Sequence, residues 1–166
     1  MYTAPSLLLE RPSQRPARLK LVTVGDQGAG KTTLLLKGLA KEPVSHEEAH
    51  LVKPTVGLDF CVKHHEASDG SGETAIVECW DLSGQERFYA LSQDYIRRAS
   101  AVVIVYDTTI SAEEARQSVQ RWHGVVSSTR HDALLLPVIV VGNKTDLNES
   151  FRSQHTLCVN WCEDNN

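Results

Sequence analysis

The residues with the clearest chemical content stand in one run, Gly25-Asp26-Gln27-Gly28-Ala29-Gly30-Lys31-Thr32. The pattern G-x-x-x-x-G-K-[ST] supplies what a polyphosphate needs. Glycines let a loop bend tightly enough to expose backbone N–H groups, the helix that follows contributes a partly positive N-terminus, and a lysine adds a full charge. Lys31 is that lysine. Thr32 can place a hydroxyl on Mg²⁺, a hard cation that takes oxygen ligands and bridges phosphates. Gly25, Gln27, Gly28, Ala29, Gly30 and Thr33 complete the expected nucleotide contacts. A second run, Gly142-Asn143-Lys144-Thr145-Asp146-Leu147, addresses the base. Guanine presents N1–H and a 2-amino group side by side, a donor pair that the one carboxylate of Asp146 can accept. Lys144 is expected to lay its stem over the ring, and Asn143 to tie this loop to the phosphate loop.

Two further motifs compete. His46-Glu47-Glu48-Ala49-His50 matches H-E-x-x-H, which on a helix offers two imidazoles to zinc with Glu47 as base. Pro43 close upstream and the lack of a third ligand weigh against it. Asn143-Lys144-Thr145 is also a glycosylation sequon, chemistry that requires secretion.

The elements that must position these residues alternate. The run from Leu19 to Val24 reads as a strand bounded by Gly25, and residues 31–42 as a helix. Residues 56–65 and 74–80 read as two strands joined through Ser68-Asp69-Gly70-Ser71-Gly72, a hairpin at one sheet edge. Residues 101–106 and 134–141 are Val- and Ile-rich runs, as expected of parallel strands buried on both faces. The helix between them starts at a capping box, Ser111 with Glu114. Such alternation implies an α/β sheet with right-handed crossovers.

At 166 residues the chain fits one domain: an α/β domain over 19–147, preceded by a mobile basic arm over 1–18 and followed by a tail over 148–166. A transit peptide is the alternative for the arm. A net charge of -4 provides no electrostatic reason to expect nucleic acid, and a monomer is expected. Cys61, Cys79, Cys158 and Cys162 form no CxxC pair and are read as free thiols in the cytosol, a zinc site being the weaker reading. Leu7-Leu8-Leu9 is too short for a signal-peptide core.

Trp80-Asp81-Leu82-Ser83-Gly84-Gln85-Glu86-Arg87-Phe88 resembles the WDTAGQERF element of Rab-type small GTPases, and Thr55-Val56-Gly57-Leu58-Asp59-Phe60 resembles their TIGVDF sequence. With the phosphate and guanine loops, four motifs fall in that family's order. The resemblance implies a P-loop, three-layer α/β fold, mostly parallel with one antiparallel edge hairpin, that binds GTP or GDP with Mg²⁺ and hydrolyses GTP. It implies that Thr55 ligates Mg²⁺ beside Thr32, that Asp81 holds the metal through water, and that the Gly84 N–H meets the γ-phosphate. Gln85 and Lys31 would be the catalytic pair, Gln85 by orienting the attacking water, and an arginine would come from an activating protein. Phe60, Trp80 and Tyr95 match three aromatic positions that Rab proteins present to effectors; a plain core role is the other reading. Exchange factors and vesicle transport follow from the same resemblance, with a cytoplasmic location reaching endomembranes through partners.

Departures from the family are informative. Gln27 stands where Rab proteins have a small residue, and its side chain is expected to crowd the γ-phosphate. The stretch from Lys31 to Thr55 is longer than usual, leaving His50 as a weak candidate to brace the guanine. After Leu147 the family's Ser-Ala-Lys guanine loop, last strand and long helix are not recognisable, and Cys162, fifth from the end, makes neither a CaaX box nor a terminal pair, so no prenyl anchor is expected. The expectation is a truncated form whose sheet edge beside 134–141 is unpaired and whose central strands are partly uncovered. An idle, nucleotide-binding pseudo-GTPase or inactive isoform is the competing function.

Overall fold

The computed structural model describes residues 16–39, 52–66, 73–85, 88–130, 136–148, 156 and 158–162. The elements in chain order are β1 (Ala17–Val24), α1 (Lys31–Leu39), β2 (Leu58–Glu66), β3 (Thr74–Leu82), α2 (Tyr89–Ile96), β4 (Ala101–Asp107), α3 (Ala112–Thr129), β5 (Val138–Asn143) and a 3₁₀ turn (Thr145–Leu147). They build one five-stranded sheet in the order β2-β3-β1-β4-β5. Only β2 and β3 run antiparallel; β1 pairs with β3 and β4, and β4 with β5, in parallel. This is the α/β architecture expected, edge hairpin included.

The two central strands show why parallel pairing suits this sequence. Consecutive residues of a strand face opposite sides, and in β1 Val22, Thr23 and Val24 are all buried, as are Ile104, Val105 and Tyr106 of β4. One face packs Val22, Val24, Val102 and Ile104 against Ile96 of α2 and Trp122 and Val126 of α3. Helix α3 begins at the expected capping box: the Glu114 N–H donates to Ser111 Oγ at 3.3 Å, and the Ser111 N–H to the Glu114 carboxylate at 3.0 Å.

Several boundaries differ from the sequence reading for identifiable reasons. Strand β1 starts at Ala17, inside the segment read as an arm, because Ala17 and Arg18 continue the ladder to Ala75 and Ile76. Strand β5 starts at Val138 rather than at residue 134, since Pro137 has no N–H to donate; its carbonyl accepts instead from the Val102 N–H at 2.9 Å. Helix α2 escaped the sequence reading because eight residues with only Ser92 and Ile96 buried carry little periodic signal. In the tail, where no long helix was expected, residues 158–162 form a short helical stretch. Cys158 is buried against Tyr106, Ala115 and Val119, and the Trp161 ring meets His123 edge-on at 5.1 Å. Residues 1–15 of the arm, the H-E-x-x-H segment and the turn at Ser68–Gly72 lie outside the described residues.

Among the described residues β5 is an outer strand, and Ile139 on it is 54% exposed while Ile104 on β4 is 0% exposed. Ile104→Ala is therefore expected to cost about 2–5 kcal/mol of unfolding free energy in urea titration, and Ile139→Ala less than about 1 kcal/mol.

Candidate functional site

The loop from Gly25 to Gly30 leaves β1 at the carboxyl edge of the sheet and opens α1. Glycine is required at two of its positions by close approach as well as by positive φ. A Cβ on Gly25 (φ 145°) would stand 2.1 Å from the Val105 carbonyl oxygen, and one on Gly30 (φ 85°) 2.2 Å from Asn143 Nδ2. Lys31, buried at 6% exposure, turns its ammonium back over the loop and donates to the carbonyls of Gly25 (3.0 Å) and Asp26 (2.9 Å). Burial lowers its pKa, a shift that the negative charges of Asp81 and Asp26 partly offset.

Beside Lys31, three oxygens from three segments converge. Thr32 donates to Asp81 Oδ2, Thr55 donates to the same oxygen at 3.0 Å, and the two hydroxyls lie 2.9 Å apart. Thr55 is brought there by the start of β2, whose Leu58 pairs with Leu82, and by the Ser83 N–H donating to the Gly57 carbonyl at 2.9 Å. Asp81 is buried and its Oδ1 has no hydrogen-bond partner. A buried carboxylate with an orphan oxygen, flanked by two hydroxyls, is a donor set that a hard divalent cation satisfies.

A cavity of about 320 Å³ opens over these groups, walled by Gly28, Lys31, Thr32, Thr33, Thr55, Gly84 and Lys144 among others. Gln27 is exposed and stands on the same wall. Gly84 lies so close to the phosphate loop that a Cβ there would come within 2.3–2.5 Å of Gln27 N, Asp26 C and Gly25 O. Gln85 follows, its N–H directed at Ser83 Oγ (3.4 Å), and stands outside the cavity wall.

The second loop reaches the first through one side chain. Asn143, the last residue of β5, donates from Nδ2 to the Ala29 carbonyl at 2.8 Å. Lys144 adopts left-handed backbone (φ 64°), lines the cavity, and places its ammonium 2.6 Å from Asp107 Oδ2. Asp146 stands exposed on the 3₁₀ turn just beyond. The sequence reading missed Asp107, although an acidic residue ending an apolar strand at the ligand edge was a signal for it. It also passed over Asp26, whose carboxylate is held by Arg121 and Trp122 of α3. The thiols do not gather: Cys61 faces Cys79 across the hairpin, and Cys158 packs on Tyr106. Burial, together with Cys79, pushes the Cys61 thiol up to about 11. Among the described residues no three His, Cys, Asp or Glu side chains cluster to hold a metal.

Residues 20–146 match the family described as "Ras of Complex, Roc, domain of DAPkinase". The chain belongs to the Ras superfamily of GTPase domains. Similar proteins include Rab7 of Drosophila melanogaster, 30% identical over 92% of this chain and 70% of its own length. RABD2a of Arabidopsis thaliana is 35% identical over 79% of this chain and 59% of its own length. A Ras and EF-hand domain-containing protein of Xenopus tropicalis is 33% identical over 84% of this chain, but the chain spans only 18% of that relative. The fold is thus the P-loop GTPase fold.

Charge pairing in the GTPase domain predicts a pH response. Burial alone would raise the Asp107 carboxyl, but its bonds to Lys144 and Thr109 outweigh burial and hold it below the usual carboxylate value. A carboxyl lowered in the folded state contributes stability above its unfolded pKa, and that stability is lost as pH falls through the folded one. Asp107→Asn should accordingly lose less stability than the parent chain on acidification from about pH 6 to about pH 3, as followed by urea unfolding at each pH.

Proposed function

We propose that this GTPase domain is a guanine-nucleotide switch of the Rab kind, binding GTP or GDP with Mg²⁺, hydrolysing GTP slowly, and serving vesicle transport at cytosolic membrane faces. The observation that carries the reading is the meeting of Lys31, Thr32, Thr55 and Asp81 at one cavity, drawn from three separate segments. Lys31 and the α1 N-terminus would hold the phosphates. Thr32 and Thr55, with Asp81 behind them, would hold the metal, which supplies positive charge against the developing negative charge of phosphoryl transfer. Gln85 would orient the attacking water, and the Gly84 N–H would contact the γ-phosphate. Because Thr55 and Gly84 sit on separate loops, their shared ligand would order both, and its hydrolysis would release them.

The output surface follows from geometry. Phe60, Trp80 and Tyr95 form a continuous aromatic row with ring centroids 4.6 and 4.7 Å apart, Phe60 being 45% exposed. The row starts five residues after Thr55, so ordering of that loop is transmitted to a surface suited to effectors and regulators. One observation favours a second reading, a nucleotide-binding but idle domain: Gln27 stands on the cavity wall, where a long side chain competes with the γ-phosphate and with any arginine from a partner.

Single-turnover hydrolysis of pre-loaded GTP separates the two. A switch shows slow release of phosphate that Gln85→Leu lowers by about tenfold or more with GDP affinity unchanged; an idle domain shows none in either chain. Base choice is tested independently: Asp146→Asn replaces an acceptor by a donor on one side and should move preference from GTP toward XTP, whose 2-oxo group accepts. An unaltered GTP/XTP ratio would refute the assignment of Asp146.

A further inference from the structure

The phosphate loop contains a single acidic residue, Asp26, and that side chain points away from the cavity into helix α3. Arg121 Nη2 donates to both carboxylate oxygens at 2.7 Å, and the Trp122 indole N–H donates to Oδ1 at 2.9 Å. Trp122 is fully buried in the core, and the Tyr89 ring at the start of α2 packs edge-on against it at 4.9 Å. The indole is therefore a fixed point, and Asp26 is fastened to it. The backbone of the same residue faces the other way: the Asp26 carbonyl accepts from Lys31 Nζ at 2.9 Å and from the Ala29 N–H at 3.2 Å. Side chain and carbonyl of one residue thus join α3 to the ammonium that meets phosphate.

From this geometry we propose that Arg121 and Trp122 are positioning residues for nucleotide phosphate, holding the phosphate loop in shape from behind through Asp26. Neither lines the cavity. The inference rests on the nucleotide-binding reading above and extends it to a helix outside the four recognition motifs. Two effects act together. Surface ion pairs contribute little when they join two mobile chains, but here one guanidinium nitrogen reaches both oxygens of a carboxylate that is also held by a buried donor, so little freedom remains to be lost. Arg121 also neutralises a carboxylate belonging to a loop that must accept several negative charges. Without the guanidinium, Asp26 keeps only neutral partners, the Trp122 indole and Ser118, and adds an unbalanced negative charge to the loop. Burial by itself pushes the Asp26 carboxyl up; polar contacts with Ser118, Arg121 and Trp122 outweigh it, so the residue is held as a carboxylate.

The test is the dissociation rate of a fluorescent GDP analogue from the full chain in Mg²⁺, chased with excess GDP, with the thermal midpoint recorded for each variant. Arg121→Ala should release the analogue about tenfold faster, the equivalent of one charge-assisted contact, and Arg121→Lys should fall between it and the parent. Adding Asp26→Asn to Arg121→Ala should return the rate to within about threefold of the parent, since the amide carries no charge and keeps an oxygen for the indole. Trp122→Phe, which keeps a ring and removes the N–H, should also accelerate release. An unchanged rate in Arg121→Ala overturns the proposal. So does an acceleration that Asp26→Asn fails to reverse, because generalised damage to α3 would not depend on the charge at position 26. Failure of the parent chain to retain the analogue at all would overturn the nucleotide reading and this inference with it, an outcome distinct from retention without an effect of Arg121.

Discussion

A loop of six residues between β1 and α1 has to expose its backbone N–H groups to a ligand, and a loop that turns its backbone outward has little left with which to hold itself. Three of its glycines have positive φ, and Ala29 is its one buried apolar side chain. Its shape is imposed from outside. The Val105 backbone lies beneath Gly25, Asn143 grips the Ala29 carbonyl, Gly84 presses on the Gly25–Gln27 backbone, and α3 holds Asp26. Each of these neighbours belongs to a different element, so the order of strands in the sheet is in effect a device for bringing four supports to one loop.

Charge is distributed around that loop with the same economy. Lys31 is buried, which taken alone would favour its neutral form, and Asp81 and Asp26 act against that shift. Asp81 in turn has one oxygen satisfied by Thr32 and Thr55 and one without a partner. A site with a shielded lysine, a carboxylate with spare acceptor capacity and two hydroxyls suits the ligand of the proposed function, which would bring both negative charge and a cation. The Lys144–Asp107 pair repeats the logic elsewhere on the cavity wall, where the carboxylate holds the lysine ammonium in place.

How much of this was legible in the chain depended on range. The G-x-x-x-x-G-K-T run, the Asn-Lys-x-Asp run and the capping box at Ser111 and Glu114 are local patterns whose geometry follows from spacing alone, and the structure places them on the expected loops and helix start. The Val- and Ile-rich run of β4 announced a buried parallel strand because burial on both faces leaves no polar alternation, whereas β5 is parallel but, with Ile139 exposed, not buried on both faces. Helix α2 and the helical turn at 158–162 were missed because each is short and only partly apolar, so tertiary contact with Trp122 or with Tyr106 and Val119 decides them rather than periodicity. The start of β5 was misjudged because a hydrophobic run does not reveal where a ladder loses its first donor; Pro137 does.

Sequence by itself determined the identity of the chemical groups, their order, and the class of fold able to carry them, since each of those rests on residues within a few positions of one another. Tertiary structure alone decided which residues distant in sequence pair with one another around the cavity. Arg121 is 95 residues from Asp26, Lys144 is 37 from Asp107, and Thr55 is 26 from Asp81. Motifs marked Lys144, Thr55 and Asp81, but nothing in the sequence separation of these pairs announces that their members meet. They meet because β1 lies between β3 and β4, which sets the ends of strands distant in sequence side by side at one edge of the sheet.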